Sequence, residues 1–303
     1  METWWKDHYG RPQDPEWHKW INIYADLVTK KNQELVEVHS NIVDGEKVFG
    51  MSKAAGCTRA NAINYVSGAQ YEESGSTNFT FWLGHTVEIA TLATFIACGY
   101  DVEFQKEVSV KDSNGTTVMA SKSDGFTKIL GEPTVLSIKS SAYKMSGQRK
   151  GKWIRFGFPG LPFEGIRKLQ PSWYLQAQLE MAGSGAKQAL IIVAAKDIVK
   201  VFENDEYLGP KGNGSLTFYT ELIRPEPELI HEAIDINAKQ LAIARSGEYG
   251  PAMYLAHDYS WVELEKAKVI PSDIWGGVNK VKTGAFNPCG GCNKRVACES
   301  GTA

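Results

Sequence analysis

Apolar residues in the first part of the chain recur at the spacing of a helix. Trp17, Trp20 and Tyr24 follow one another three or four positions apart, so they share one face of an amphipathic helix. Similar spacing marks further helices, with Gly99 as a stop signal and Pro171 as a start signal. We predict helices over residues 1–45, 59–66, 81–98, 172–182 and 226–246.

Beyond residue 100 the pattern changes to short segments rich in β-branched and aromatic residues. Asn-Gly and Gly-Glu-Pro turns separate these segments, as they do between neighbouring strands of a sheet. The order of helices, β-meander, helix and strand indicates the α/β class, with a mixed central sheet flanked by helices. We predict strands over residues 102–110, 116–120, 126–130 and 135–140, and a buried strand over 190–195 with its hairpin partner over 199–203.

The composition is that of an ordinary globular protein. Of the 303 residues, 43% are hydrophobic and 22% are charged, which is enough apolar material for a full core. No apolar run approaches the roughly 20 residues that span a bilayer, and the first residues lack the pattern of an export signal. We therefore expect a cytoplasmic protein of a bacterial or phage-infected cell, without membrane contacts. The formal net charge of −2 means that any nucleic-acid contact must use a local basic patch.

The cysteines suggest a metal centre. Their odd number, five, argues against a disulfide framework. Cys289, Cys292 and Cys298 form a C-x2-C-x5-C pattern near the end of the chain, whereas Cys57 stands alone near its start. Cys57 is either a fourth ligand or an ordinary buried thiol. Structural zinc and an iron–sulfur cluster both accept four thiolates, so the spacing leaves both open. Cys98, on an apolar helix, is expected in the core.

Three polar residues in the predicted strands stand out. Asp124 comes just before one strand, and Ser137 and Lys139 lie two positions apart on the next, so the latter pair points to the same face. Taken alone, Asp124 before a glycine is typical of a turn, and Lys139 of an exposed strand edge. Taken together, they are a candidate for one functional site.

Two predicted helices add polar residues to this picture. His85 and Glu88 lie one turn apart on the helix before the strands, and such residues share a helix face. Gln176 and Gln178 lie on the helix after them. His85 alone would be an ordinary polar helix residue, and the glutamines would be exposed helix positions. Their order around the strands makes a joint site the better hypothesis.

These residues resemble the PD-(D/E)XK nuclease superfamily, and within it the RecB-like exonucleases, which include iron–sulfur nucleases of CRISPR adaptation and phage-borne relatives. The resemblance covers residues 57–298 and implies a restriction-endonuclease-like core that hydrolyses DNA with Mg²⁺ or Mn²⁺. It implies that Lys139 positions the attacking water, that Gln176 or Gln178 orients the scissile phosphate or the metal shell, and that a [4Fe–4S] cluster staples the chain ends. It assigns catalysis to Glu88, Asp124, Ser137, Lys139 and Gln176, Mg²⁺ or Mn²⁺ binding to His85, Glu88 and Asp124, and the cluster to Cys57, Cys289, Cys292 and Cys298.

The chain departs from the family pattern at two positions. Ser137 stands where the family has an acidic residue, and Glu180 stands where a tyrosine often follows the glutamine. A hydroxyl lacks the charge of a carboxylate, so metal affinity and rate should fall. Either this copy is an inactivated version, which is the favoured hypothesis, or another residue such as Glu88 takes over as ligand.

The segment from Lys139 to Gln170 is basic and aromatic. It contains eight lysines or arginines against one acid, Glu164, with aromatic residues between them. Basic side chains neutralise phosphates and aromatic rings stack on unpaired bases, so the segment predicts contacts with single-stranded or frayed DNA; the alternative is an ordinary solvated loop. The predicted DNA contacts are Lys144, Arg149, Lys150, Lys152, Trp153, Arg155 and Gln178.

The sequence therefore predicts a single nuclease domain over residues 1–303. It would comprise a helical extension over 1–50, a catalytic core over 80–205 and a cluster segment over 285–300 joined by Cys57. The predicted function is that of a metal-dependent DNA exonuclease in DNA processing or recombination, impaired by Ser137. The alternatives are a catalytically silent module that binds DNA or recruits a recombination or CRISPR-type partner protein, and a zinc-stapled structural protein. Oligomeric state is left open.

Overall fold

The computed structural model describes residues 2–36, 42–56, 58–67, 75–141, 165–195, 202–203, 206–207 and 218–249. Its helices are α1 (Glu2–His8), α2 (Pro15–Val36), α3 (Thr58–Ser67), α4 (Gly75–Ala97), α5 (Gly165–Leu169), α6 (Pro171–Ser184) and α7 (Pro227–Arg245). Its strands are β1 (Ile42–Val43), β2 (Glu46–Lys47), β3 (Phe49–Gly50), β4 (Glu103–Phe104), β5 (Glu107–Lys111), β6 (Thr117–Lys122), β7 (Gly125–Ile129), β8 (Glu132–Ser141), β9 (Gln188–Ala195), β10 (Phe202–Glu203), β11 (Glu206–Tyr207) and β12 (Phe218–Ile223).

The N-terminal region contains two helices where the sequence predicted one. The break falls before Pro15, which is tolerated in the first turn of a helix but not in its middle. Asp14 caps the second helix: its Oδ1 accepts a hydrogen bond from the Glu16 backbone N–H at 2.9 Å, and its Oδ2 lies 2.8 Å from His8 Nδ1. A carboxylate at this position satisfies a donor that the helix itself leaves free.

The central sheet has five strands in the order β12-β9-β8-β7-β4. Strands β8 and β9 are parallel, and the other neighbours are antiparallel. Helix α6 lies between β8 and β9 along the chain, which is the crossover that a parallel pair requires. The predicted α/β class, with a mixed central sheet flanked by helices, is confirmed.

A smaller sheet has the order β3-β6-β5. The predicted strand over 102–110 is divided between the two sheets, because β4 pairs with β7 and β5 pairs with β6. Gln105 lies at this division with a φ of 53°, in the left-handed region that interrupts a strand. The predicted partner of β9 is also wrong, because β9 pairs with β12 while β10 pairs with β11.

Two helices cover opposite faces of the central sheet. On one face Leu92 of α4 packs in a cluster with Leu136 and Ile138 of β8. On the other face Leu175 of α6 belongs to a cluster that includes Val135. Because side chains alternate along a strand, Ser137 and Lys139 share the α6 face with Val135.

Helix α6 is held between the central sheet and the small sheet. A Cβ added at Gly183 would lie 2.8 Å from the backbone oxygen of Ser109 on β5, which is closer than real atoms allow. Only glycine permits this approach, and it brings the polar face of α6 against β6. The small sheet therefore closes over one side of the site.

The ends of α4 and α6 follow their sequence signals. The stop predicted at Gly99 is confirmed by its φ of 90°, and Pro171 opens α6 as predicted. The burial predicted for Cys98 is wrong, because α4 ends at Ala97 and the thiol is exposed. Among the described residues, no helix combines the length and the apolar character that crossing a bilayer demands.

Candidate active site

Asp124 lies in the short link between β6 and β7, where the chain passes from the small sheet to the central one. Its Oδ2 accepts a hydrogen bond from the Ile138 backbone N–H at 2.6 Å, so the carboxylate is fixed against β8. The following Gly125 is the first residue of β7, and a Cβ there would lie 3.0 Å from a methyl carbon of Leu92. Tight packing against α4 thus favours glycine at position 125.

Lys139 comes to the same place from β8. Its Nζ lies 3.9 Å from Asp124 Oδ2, and the two side chains are only 15% and 19% exposed. The structure therefore brings together the two strand residues that the sequence singled out. An acid and a lysine at this separation, partly shielded from water, interact more strongly than a surface pair.

Ser137 lies on the same face of β8, two residues before Lys139. It has no accessible surface, and its Oγ has no hydrogen-bond partner among the residues that the structure describes. A buried hydroxyl usually finds a partner, because leaving it without one costs about 1–3 kcal/mol. The position where the sequence resemblance expects an acid therefore holds a buried serine on the face that α6 covers.

Glu180 of α6 is a site residue that sequence analysis did not identify. It is almost fully buried, and its Oε1 accepts hydrogen bonds from Gln176 Nε2 at 2.7 Å and from Ser121 Oγ at 3.4 Å. Both donors are neutral. Gln176 therefore holds an acidic side chain in place, as a residue that orients the site would.

The pKa values show that Asp124, Lys139 and Glu180 form one electrostatic unit. Burial raises the pKa of Glu180 to about 7, although the charge of Lys139 opposes this, and the negative charge of Asp124 adds to it. Burial likewise raises the pKa of Asp124 to about 6, again against Lys139, with a further contribution from Glu88. Burial and the repulsion between neighbouring carboxylates favour the protonated form of both acids, whereas the lysine favours the ionised form.

Glu88 lies on the other side of the sheet, on α4, and is satisfied by its neighbours. Its Oε1 accepts hydrogen bonds from Lys31 Nζ at 3.1 Å and Gln105 Nε2 at 2.8 Å, and its Oε2 lies 3.4 Å from His85 Nδ1. Burial alone would raise the pKa of Glu88, but the hydrogen bond from His85 and the charge of Lys31 lower it overall. The predicted proximity of His85 and Glu88 is thus present, as part of a buried ion pair.

Lys31 and Gln105 were not predicted to take part in the site. Lys31 comes from α2 and donates a hydrogen bond to Glu88. Gln105, which lies between β4 and β5, also donates to Glu88 through its side-chain amide, and its backbone is in the left-handed region. Such a backbone conformation costs about 1–3 kcal/mol outside glycine and often marks functional positions. An unusual φ leaves no signal in the sequence.

Gln178 has a structural role in this fold. It has no accessible surface, its Nε2 donates to the Arg224 carbonyl at 2.9 Å, and its Oε1 accepts from the Glu226 N–H at 2.8 Å. The predicted contact with DNA does not fit this position. Its amide instead fixes the residues that lead into α7.

The other predicted site residues lie outside the described residues. These are the DNA-contact residues Lys144, Arg149, Lys150, Lys152, Trp153 and Arg155, and the cluster residues Cys57, Cys289, Cys292 and Cys298. Their roles stay predictions.

The described donor set suits an ion with few protein ligands. Within the described parts of the chain, no three His, Cys, Asp or Glu side chains converge on one point. Mg²⁺ retains several waters and is typically held by one or two carboxylates together with substrate phosphates. Asp124 and Glu180 carry carboxylates of this kind, of which Asp124 is the more accessible.

Comparisons with known proteins gave matches in structure alone. No protein-family model matches the chain, and no curated protein matches it in sequence. The fold is similar to an alkaline exonuclease from Laribacter hongkongensis, also solved in complex with dAMP, at 14% identity and a TM-score of 0.41, covering 66% of this chain and 89% of that one. It is also similar to a phage-related exonuclease from Haemophilus somnus 129PT, at 14% identity and a TM-score of 0.43. That match covers 66% of this chain and 96% of that one. We therefore base the functional proposal on the side chains of the site.

Proposed function

We propose that this chain is a metal-dependent DNA nuclease of the PD-(D/E)XK type. The observation that carries the proposal is the placement of Asp124 Oδ2 3.9 Å from Lys139 Nζ, beside the buried Glu180, where the chain passes between the two sheets. Phosphodiester hydrolysis needs a hard cation bound by carboxylates and a group that positions the attacking water. These side chains provide both.

Each residue of the site has a chemical task. Asp124 would be a metal ligand, and a bound Mg²⁺ or Mn²⁺ would acidify the attacking water and stabilise the leaving oxygen. Lys139, with an ammonium that donates three hydrogen bonds, would orient that water and offset the phosphate charge. Gln176 would keep the carboxylate of Glu180 in one orientation. The metal-binding role of Glu88 and His85 stays a prediction, in competition with the ion pair that Glu88 forms with Lys31.

The DNA would be bound by the basic and aromatic segment between Lys139 and Gln170. Its charge and rings suit single strands or frayed ends, which is the substrate of an exonuclease. We place this activity in DNA processing or recombination in the cytoplasm. A matched test compares single-stranded, blunt and closed circular DNA. Digestion of linear substrates with survival of the circle would identify an exonuclease.

We also propose that Cys57, Cys289, Cys292 and Cys298 hold a [4Fe–4S] cluster, with structural zinc as the alternative. The pattern of three closely spaced thiols supports a metal centre, and the family resemblance favours iron. The test is an iron, sulfide and zinc analysis of protein purified without oxygen, beside a Cys292→Ser variant. Iron and sulfide in the parent that are lost in the variant would support the cluster. Stoichiometric zinc in the parent would instead identify a structural zinc site.

A second candidate function is a silent module that binds DNA or recruits a partner protein. The specific observation in its favour is Ser137, a neutral residue at the family's acidic position. Binding of DNA without any metal-dependent cleavage would identify this function.

The nuclease proposal is tested on end-labelled DNA with Mn²⁺. We expect cleavage by the parent and a loss of rate of about 10²- to 10⁴-fold in Lys139→Met, the scale of a group that handles a proton or water in the transition state. Asp124→Asn should lose cleavage likewise, whereas Lys128→Met, an exposed lysine on β7, should not. Equal rates in Lys139→Met and Lys128→Met would contradict the proposal.

A further inference from the structure

We propose that Lys31 is a built-in cation for Glu88. Its ammonium takes the place of a divalent ion at this carboxylate, so that Asp124 binds the divalent ion of the site without Glu88. The inference rests on the proposed metal-dependent function and deepens it. It makes Lys31, which lies on α2 and outside the predicted catalytic core, a positioning residue of the site.

The contact between Lys31 and Glu88 is the first observation. Lys31 Nζ lies 3.1 Å from Glu88 Oε1, although the two residues are 57 positions apart in the sequence, and their side chains are only 10% and 9% exposed. Water and salt screen a buried pair of charges much less than a surface pair. The ammonium is therefore a strong competitor for any dissolved cation at this carboxylate.

Helix α2 is fixed against α4, so the ammonium is held in place. Trp20 Nε1 donates a hydrogen bond to Thr94 Oγ1 at 3.1 Å. Leu27, one turn before Lys31, is buried in the cluster that α4 and β8 also form. The packing of α2 thus positions Lys31 beside Glu88 before any ligand is present.

Both oxygens of the Glu88 carboxylate already have partners. Gln105 Nε2 donates to the same Oε1 at 2.8 Å, and His85 Nδ1 lies 3.4 Å from Oε2. A divalent ion at this carboxylate would lie beside the Lys31 ammonium, and the two positive charges would repel each other. One cation therefore excludes the other.

The pair also acts on Asp124 with both of its charges. Burial is the main cause of the raised pKa of Asp124, to which Glu88 adds and which Lys31 opposes. Asp124 is thus within electrostatic reach of both members of the pair, and their effects oppose each other. Cation binding at Asp124 is then governed by its own carboxylate and by Lys139 rather than by Glu88.

The test counts bound Mn²⁺ by electron paramagnetic resonance on the full chain, after chelator treatment and removal of the chelator. We expect the parent to bind a single Mn²⁺. Asp124→Asn should weaken this binding by at least about 10- to 100-fold, the scale even of residues that only support a metal ligand. In Lys31→Met the carboxylate of Glu88 has lost its cation, so we expect a second Mn²⁺. Lys30→Met, which removes an exposed lysine of the same helix, should bind as the parent does.

A variant without either charge keeps the inference testable if Lys31→Met does not fold. In Lys31→Met/Glu88→Leu no buried charge is left unpaired, and we expect a single Mn²⁺ with an affinity within a few-fold of the parent. Lys31→Arg keeps the positive charge and should also bind a single ion. Melting temperatures in chelator check folding. Added Mn²⁺ should raise the melting temperature of Lys31→Met more than that of the double variant, because an ion bound to the folded chain stabilises it.

Two results would overturn the inference while the metal-dependent function stands. The first is a loss of Mn²⁺ affinity in the folded double variant as large as that in Asp124→Asn, which would make Glu88 a ligand despite Lys31. The second is an equal number of bound ions in the parent and in a folded Lys31→Met protein. A parent that binds no Mn²⁺ would overturn the metal-dependent function as well, so binding by the parent distinguishes the two failures.

Discussion

Two buried glutamates on opposite faces of the central sheet are treated differently by the fold. Glu88 on α4 has a counter-ion, Lys31, and two further neighbours that bind its carboxylate. Glu180 on α6 is at least as buried, but among the described residues its hydrogen-bond donors are neutral groups. The pKa of Glu88 is lowered, and that of Glu180 is raised to about 7.

The contrast separates a carboxylate that the chain has neutralised from one that it has not. A buried charge persists in a folded protein when it is paired or when it coordinates a metal. On the α4 face the protein itself neutralises the buried glutamate, because Lys31 supplies the positive charge. As far as the structure describes the chain, the α6 face combines an acid without a direct ion pair, a serine without a hydrogen-bond partner and a partly buried lysine. It is the face on which an external cation and a phosphate would find partners.

The largest expected effect comes from removing the counter-ion of Glu88. Lys31→Met leaves a buried carboxylate without its cation, and breaking one side of a buried ion pair costs about 3–5 kcal/mol. Lys30→Met is the matched control, since Lys30 forms only an exposed pair with Asp26, and such pairs contribute about 0–1 kcal/mol. Urea unfolding of both variants measures the difference.

The same comparison has a built-in check. In the double variant Lys31→Met/Glu88→Leu both charges are gone, so much of the lost stability should return. If Lys31→Met is no less stable than Lys30→Met, Glu88 is not neutralised by Lys31, and the contrast between the two faces is wrong.

The second effect is a dependence of folding stability on pH, which has opposite signs for Glu180 and Glu88. An acid whose pKa is raised by folding keeps its proton longer in the folded chain, so stability falls as pH rises from the ordinary value to the raised one. For Glu180 that window runs from about 4.5 to about 7, and the loss is on the order of 3 kcal/mol. For Glu88, with a lowered pKa, stability is instead lost as pH falls below the ordinary range.

Urea unfolding in chelator at pH 5 and pH 8 measures this term. We expect the parent to lose stability between these values relative to Glu180→Gln, which cannot ionise at this position. Parallel pH profiles for the two proteins would show that Glu180 titrates as an ordinary glutamate.

The smallest expected effect concerns how closely the backbones of α6 and α4 pack against neighbouring strands. Gly183 on α6 leaves no room for a methyl group, since a Cβ there would lie 2.8 Å from the Ser109 backbone oxygen, whereas one at Gly84 on α4 would lie 3.5 Å from Ser140 Oγ. Gly183→Ala should destabilise by about 1–3 kcal/mol. Gly84→Ala should be neutral or stabilise by up to about 1 kcal/mol, because alanine favours the helix. Thermal unfolding checks both, and destabilisation by Gly84→Ala alone would reverse the assignment.

The sequence predicted the parts of the site that depend on local spacing. Ser137 and Lys139 share a face because a strand alternates, and Asp124 meets Lys139 because their strands are antiparallel neighbours in the sheet. The spacing of His85 and Glu88 on one helix turn predicted their contact. Helices α3, α4, α6 and α7 and most strands of the central sheet followed from periodicity for the same reason.

What the sequence did not predict depends on contacts between distant segments. Glu180 was noted only as the replacement of a tyrosine, since its burial requires the small sheet to close on α6. Lys31 gives no local signal, because its partner is 57 residues away. The pairing of β9 with β12 was likewise missed, because alternation shows that a segment is a strand but does not specify its partner.

The most direct test of the account is single-turnover cleavage of end-labelled single-stranded DNA with Mn²⁺, comparing the parent, Lys139→Met and Lys128→Met. We predict that the parent cleaves, that Lys139→Met is slower by about 100-fold or more, and that Lys128→Met keeps the parent rate. A silent parent beside an active Ser137→Glu protein, or equal rates in the parent and Lys139→Met, would contradict the proposed nuclease site.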